Sequence, residues 1–277
     1  MIPIPIPEFK VMNSKKLLKQ DKLASVANLL DGKLVKSSDI VAVLEKVIRP
    51  NETVAIEGDN QKQAVDLAKA LVQVDPAKVN GLRMVMSCVQ MPEHLDIFEK
   101  GIAKELNCCY IGGQSARLPQ MIDAGTVKLG AIHTYLEMFS RMFTDLIPNV
   151  CLCVAEAADR NGNLYTGPNT EETPTIIEAT ACKDGIVIVQ VNEIMDELPR
   201  IDIQGEWVDI VMKSDEPCYI DPLMTRDPAK ITNLHILQAM MIIKGVYARH
   251  HIDRMNHGIG YVSPARELLL PSYGEEL

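Results

Sequence analysis

The feature that most narrows what this chain can become is a repeated change of period. Val54-Ala55-Ile56-Glu57-Gly58 is a short apolar run closed by glycine, and residues 61–74 follow it with apolar positions at 64, 65, 67, 68, 71 and 72. Side chains two apart share a face of a strand, and those three or four apart share a face of a helix, so the pair reads strand, tight loop, helix. The alternation recurs: strands at 84–87, 108–111 and 129–133 each precede a helix, over 93–104, 115–124 and about 136–143. Further strands are predicted at 150–155, 185–191 and 208–212, and a long helix at about 228–247 with Ile231, Leu234, Ile236, Leu237, Met240, Met241 and Ile243 on its buried side. Apolar strands alternating with amphipathic helices predict an α/β fold, an open and mostly parallel sheet with helices on both faces, because parallel crossovers place helices there. Residues 1–50 read as a helical segment, with Leu17, Leu18, Leu23, Val26, Leu29 and Leu30 roughly on one stripe, and 51–277 as a single α/β domain. Ser263-Pro264 starts a last helix that meets Pro271 within two turns. That brevity fits a chain that continues past Leu277, with a second catalytic half absent.

Composition removes several classes of function. Of 277 residues, 47% are hydrophobic and 23% charged, which excludes disordered and fibrous chains. The net charge of −9 disfavours nucleic acid and anionic membranes as partners, and small molecules and proteins fit better. Basic charge gathers at the front, where residues 1–50 hold nine Lys and Arg against five Asp and Glu. That stretch reads as a solvated amphipathic helix or as a patch that steers an acidic partner. No run approaches the ~20 apolar residues a bilayer requires, and the Pro-interrupted start is no secretory leader. The seven cysteines, an odd number, include adjacent Cys108-Cys109 and alternating Cys151 and Cys153, which suits buried free thiols and a cytoplasmic protein. There is no C-x-x-C pair, and His250, His251 and His257 stand without a carboxylate or thiolate at recognised spacing, so no metal site is expected.

In an open parallel sheet the ligand crevice lies beyond the C-terminal ends of the strands, so the residues after each strand are the candidates. Gly58 permits close backbone approach while Asn60 and Gln61 offer amide donors; the same letters serve equally as a helix-capping turn. Gly112-Gly113-Gln114-Ser115 opens a helix whose free N–H groups, with Arg117 one turn inside, form a natural anion site or simply a capped turn with a surface arginine. His133, Tyr135 and Glu137 form an acid/base cluster or a hydrogen-bonded strand end. Asp159-Arg160-Asn161-Gly162-Asn163 is a tight-turn signal, and Thr166-Gly167-Pro168-Asn169 a rigid loop where a substrate would lie. Asn256-His257-Gly258-Ile259-Gly260 follows a helix and lacks the third glycine of a dinucleotide fingerprint, which disfavours a nicotinamide enzyme. Two glycines before a helix start instead expose N–H groups to a developing oxyanion.

Taken together, these stretches resemble the malonate decarboxylase alpha subunits. The likeness rests on Glu57-Gly58-Asp59-Asn60-Gln61-Lys62-Gln63, Ala131-Ile132-His133-Thr134-Tyr135-Leu136-Glu137, the run from Asp159 to Glu171, Gln190-Val191-Asn192-Glu193-Ile194, Thr225-Arg226-Asp227-Pro228 and Asn256-His257-Gly258-Ile259-Gly260, spread over about residues 35–271. More distantly the loop order is similar to that of class I CoA-transferases, with Asp159 and Gly162 at a D-x-x-G turn, Asn192 at a V-x-V-N asparagine, Gly258 and Gly260 at a late loop facing the thioester, and Glu137 after a strand near the cleft. The resemblance implies a CoA-transferase-like fold and exchange of the acyl group on an acyl-carrier thiol, from acetyl to malonyl with release of acetate. It implies Gly258, Gly260 and Glu137 as catalytic positions and Gly58, Asn60, Gln61 and Asn192 as substrate-binding ones, to which the reading of the loops adds Gln114, Ser115, Arg117, His133, Tyr135, Thr166, Gly167 and Asn169. It also implies partners: an acyl carrier protein bearing a phosphopantetheine-type group derived from dephospho-CoA, the other malonate decarboxylase subunits, and an oligomeric assembly, with no cofactor bound by this chain directly. A citrate-lyase-type or free-CoA transferase subunit, and an assembly half without activity of its own, are the alternatives.

Overall fold

The computed structural model describes residues 7–58, 61–221, 228–258 and 260–273. The chain divides into two compact units, one up to Ile220 and one from Asp221 on, so the boundary falls there and not at residue 50. In chain order the first unit holds α1 (Pro7–Val26), β1 (Leu30–Asp31), β2 (Leu34–Val35), α2 (Ile40–Val47), β3 (Thr53–Ile56), α3 (Val65–Gln73), β4 (Leu82–Val89), α4 (Glu93–Glu99), β5 (Ala103–Ile111), α5 (Arg117–Asp123), β6 (Lys128–Ile132), α6 (Tyr135–Met142), β7 (Val150–Ala158), β8 (Leu164–Tyr165), α7 (Thr173–Ala181), β9 (Ile186–Ile194) and β10 (Ile210–Lys213). The described strands form one sheet in the order β1-β2-β10-β9-β7-β3-β4-β5-β6, with β8 paired antiparallel to β7. All remaining pairings are parallel except the β1–β2 hairpin.

Strand alternation divides the core in two. Val54, Ile56, Met84, Met86, Leu152, Val154, Ile188 and Met212 point to the face covered by α2 to α5. Ala55, Val85, Cys151, Cys153, Val187, Val189 and Val211 point to the face covered by α6 and α7. The central strands are buried along nearly their whole length, as parallel strands sandwiched between helix layers must be.

Three expectations need correction, the first being the buried side of the helix predicted at about 228–247, where Leu234, Ile236, Leu237, Met240 and Met241 are exposed and, of that side, only Ile243 is buried. The front of the chain is not a separate helical segment, because β2 joins the sheet parallel to β10. The predicted helix over 93–104 stops at Glu99, where Gly101 at φ +73° lets its N–H reach the Phe98 carbonyl and the Ile102 N–H the Ile97 carbonyl. That is a Schellman stop, and it frees residues from Ala103 on to extend as β5.

The second unit contains α8 (Asn233–Ile242), continued by a π-helical stretch over Ile243–Ala248, and α9 (Val262–Tyr273). Thr232 and His235 form a reciprocal capping box at the start of α8.

Candidate active site

Strand order reverses beside β3. The chain proceeds from β3 outward through β4, β5 and β6, then returns to lay β7 against the other side of β3. Connections leave the two strands in opposite directions, and this opens the crevice in which doubly wound folds hold their ligands. Two loops meet there, the one after β3 and the one that runs from β8 into α7.

Their contact is charged and buried. Lys62 is 2% exposed, and its ammonium lies 3.1 Å from Glu57 Oε1 and donates to the Asn169 carbonyl at 3.0 Å and to Thr173 Oγ1. The Thr173 hydroxyl donates to Glu57 Oε1, while Glu57 Oε2 accepts the Val154 N–H of β7 at 2.8 Å. Next to Thr173, Glu172 accepts the Gly58 N–H at 3.0 Å and the Ser87 hydroxyl at 2.8 Å. Glu57 and Lys62 stand in a stretch that carries the family likeness, but neither they nor Ser87 and Glu172 were among the candidate site residues. The readable signal was a glutamate and a lysine flanking the glycine turn at the end of a buried strand.

Further along the sheet, the β5 and α6 side chains feel that charge. Burial first, then the Glu172 carboxylate, pushes the Cys109 thiol up to about 12, so it stays protonated and is no nucleophile at neutral pH. Burial, and after it Glu172 and Glu171, also raises Tyr135 well above its ordinary value. Tyr135 packs edge-on to Tyr110 at 6.3 Å between ring centres.

The residues expected from the sequence fall into separate groups. Gly58, Gln61 and Asn169 lie in the two crevice loops; Asn60 lies outside the described residues. His133 is buried, with Nδ1 3.1 Å from Glu137 Oε1 and Nε2 3.4 Å from Asn107 Oδ1, so His133 and Glu137 do come together. Tyr135 belongs instead with Cys109 and Tyr110. Arg117 is already committed, its Nη2 2.6 Å from Asp96 and 2.9 Å from Glu99, which leaves no unbalanced positive charge there for a carboxylate. The preceding turn is also occupied: the Gly113 N–H donates to Gln90 Oε1 at 2.7 Å, the Gln114 amide to the Gln90 carbonyl at 3.3 Å and the Ser115 N–H to the Gly112 carbonyl.

Thr166 and Asn192 brace the backbone. Thr166 donates through both its N–H and its hydroxyl to Asp202. Asn192 donates to Glu156 at 3.1 Å and to the Cys218 carbonyl at 2.9 Å, and accepts the Cys218 N–H at 2.6 Å. Gly167 adopts φ +75° with its carbonyl near Arg200. Asp159 caps its own turn through the Asn161 and Asn163 N–H groups. In the second unit, Gly258 and Gly260 are exposed and open space lies where a Cβ would project. The neighbouring His257 is held between Tyr247 at 3.2 Å and Glu267 at 2.9 Å. Among the described residues no group of three or more His, Cys, Asp or Glu is arranged to hold a metal, and no helix is long and apolar enough to cross a membrane.

The family model described as malonate decarboxylase, alpha subunit, transporter matches residues 11–277. The chain belongs to that family. A curated relative from Malonomonas rubra, named acetyl-S-ACP:malonate ACP transferase, is 53% identical over 247 residues, covering 89% of this chain and 45% of its own length. A chain of the Pseudomonas malonate decarboxylase hetero-tetramer, solved in complex with malonate, superposes with a TM-score of 0.86 at 49% identity over 98% of this chain and 50% of its own. The chain thus spans about half the length of these alpha-subunit relatives. An acyl-CoA transferase from E. coli O157:H7, solved as a thioester complex with CoA, matches 87% of this chain and 62% of its own with a TM-score of 0.61 at 14% identity; that likeness shows the fold alone, a CoA-transferase-like one.

Proposed function

We propose that this chain takes part in exchanging the acyl group on a carrier thiol, converting an acetyl-carrier thioester and malonate into the malonyl thioester and acetate. The observation that carries the reading is the crevice at the strand reversal, occupied by the Glu57-Lys62-Glu172 network, in a chain 53% identical to a transferase named for that reaction. A malonate carboxylate attacks the acetyl thioester, the carrier thiolate leaves, and a mixed anhydride remains. The thiolate then attacks the malonyl carbonyl and expels acetate, so every bond broken is matched by one formed.

Neither attack requires a general base, since a carboxylate is ionised at neutral pH and the thiolate is released in the first step. Each attack does develop a tetrahedral oxyanion, and the backbone N–H groups of the exposed residues Gly258 and Gly260 are our candidates to meet it. Tyr135, kept as a phenol by burial and then by the nearby carboxylates, is a neutral donor for a substrate oxygen. The thioester arrives on a phosphopantetheine-type arm of an acyl carrier protein. The setting is a multi-subunit, cytoplasmic malonate decarboxylase.

The test is acyl exchange with an acetyl-carrier thioester and labelled malonate, run with this chain alone and with the other half of an alpha subunit added, and with CoA thioester in parallel. Label on the carrier in either run supports the reading, and the difference between runs assigns the oxyanion donors to one half or to both. Label on CoA alone favours a free-CoA transferase, and no label in any run leaves an assembly role.

A further inference from the structure

The Lys62 cluster marks the crevice but has no step of the exchange assigned to it, and its energetics are unusual. Removing two charges from water costs several kcal/mol per ion, and a well-packed neutral replacement of a buried pair is often as stable. A pair this deeply buried is therefore a poor source of stability but a good source of fixed geometry. The geometry here is specific. Lys62 leaves the loop after β3 and ends on the Asn169 carbonyl and the Thr173 hydroxyl, 107 and 111 residues further on. Glu57 closes the triangle and ties it to β7 through the Val154 N–H. The peptide unit that this triangle fixes is the one joining Glu172 to Thr173, and Glu172 is the carboxylate that, after burial, contributes most to raising Cys109 and Tyr135.

We propose that Lys62, with Glu57 and Thr173, is a positioning device: it locks the two crevice loops together and sets where the Glu172 carboxylate stands, contributing geometry to acyl transfer in place of net stability. The kinetic arm rests on the proposed function; the structural arm does not.

The test uses the full chain and the double variant Lys62→Met/Glu57→Gln, in which the neutral amide keeps an acceptor for the Val154 N–H. Thr173→Val, a smaller change to the same cluster, is the second variant. Unfolding midpoints in urea stay close to wild type, while amide hydrogen exchange accelerates at least tenfold in residues 61–64 and 166–173. Where the wild-type chain exchanges acyl groups, kcat falls by about 10²-fold, the scale of an ångström-sized misplacement, and KM for malonate shifts much less. Unchanged loop exchange in both variants overturns the proposal, as does an activity loss that merely follows the folded fraction. Accelerated loop exchange in the variants, together with no acyl transfer by the wild-type chain, leaves the clamp standing and removes the functional reading instead.

Discussion

His94 is buried beneath the loop after β3, 1% exposed, with Nδ1 taking the Gln90 N–H at 3.3 Å and approached by the Met91 N–H at 3.5 Å. Burial depresses its pKa from 6.5 to about 4. The sign follows from proton counting. Between those values the unfolded chain binds a proton that the folded chain refuses, so stability is lost as pH falls from about 6.5 towards 4 and is constant on either side. At 1.36 kcal/mol per unit this amounts to about 3 kcal/mol. Urea unfolding at pH 7 and pH 4.5 measures the drop, and His94→Gln, which keeps an acceptor for the same N–H groups, should shrink it by most of that amount. An unchanged drop in the variant would show that carboxylates alone produce the acid sensitivity. Arg117 carries a related lesson. It was legible as a cation beside a helix start, but its two acidic partners reside on α4, a different element, and nothing in the local sequence announces them.

Among the elements, those with a strong period were readable. The buried strands β3, β4, β7, β9 and β10 and the helices α3, α5 and α6 lie where the alternation places them, because each buries a face whose pattern the sequence shows directly. The β1–β2 hairpin was not readable, since two-residue strands carry no periodicity. The α4 stop was missed because the apolar pattern runs on through Ile102 and only Gly101 ends the helix. The strand ends point to the crevice as the candidate site, whereas the contacts inside it could not be read: Gly58 meets Glu172, 114 residues away, and no spacing rule links them. Glycine positions give this scale its prediction. Gly101→Ala should cost about 1–2 kcal/mol, the price of a left-handed residue with a Cβ in otherwise open space. Gly167→Ala should cost more, because its Cβ would stand 2.8 Å from that of Glu156 and push on the crevice loop. Equal shifts in the urea midpoint for the two variants would mean that the loop simply relaxes.

On the scale of the whole molecule, the basic helix and the candidate crevice lie at opposite ends of the sheet. Three lysines of α1 face the N-terminal ends of the strands. Lys22 pairs with Glu52 ahead of β3, Lys19 pairs with Asp209 ahead of β10, and Lys15 lies with Lys19 and Lys22 around a small depression that includes Pro148, Asn149 and Gly185. The candidate crevice opens at the opposite, C-terminal ends, where Glu137, Glu171 and Glu172 set the local field. An acidic carrier steered by α1 would be brought to the wrong end of the sheet, and the long-range attraction between exposed charges is in any case screened beyond about 8 Å at physiological salt. Lys15→Glu/Lys16→Glu should therefore leave the KM for the carrier thioester within about twofold and its salt dependence unaltered, because steering acts only where the charged patch surrounds the site of encounter. Acyl-exchange kinetics between 25 and 300 mM salt measure this. A KM that rises several-fold at low salt and converges with wild type at high salt would restore α1 as the carrier's landing surface, and would require the carrier to approach the crevice from the far side of the sheet.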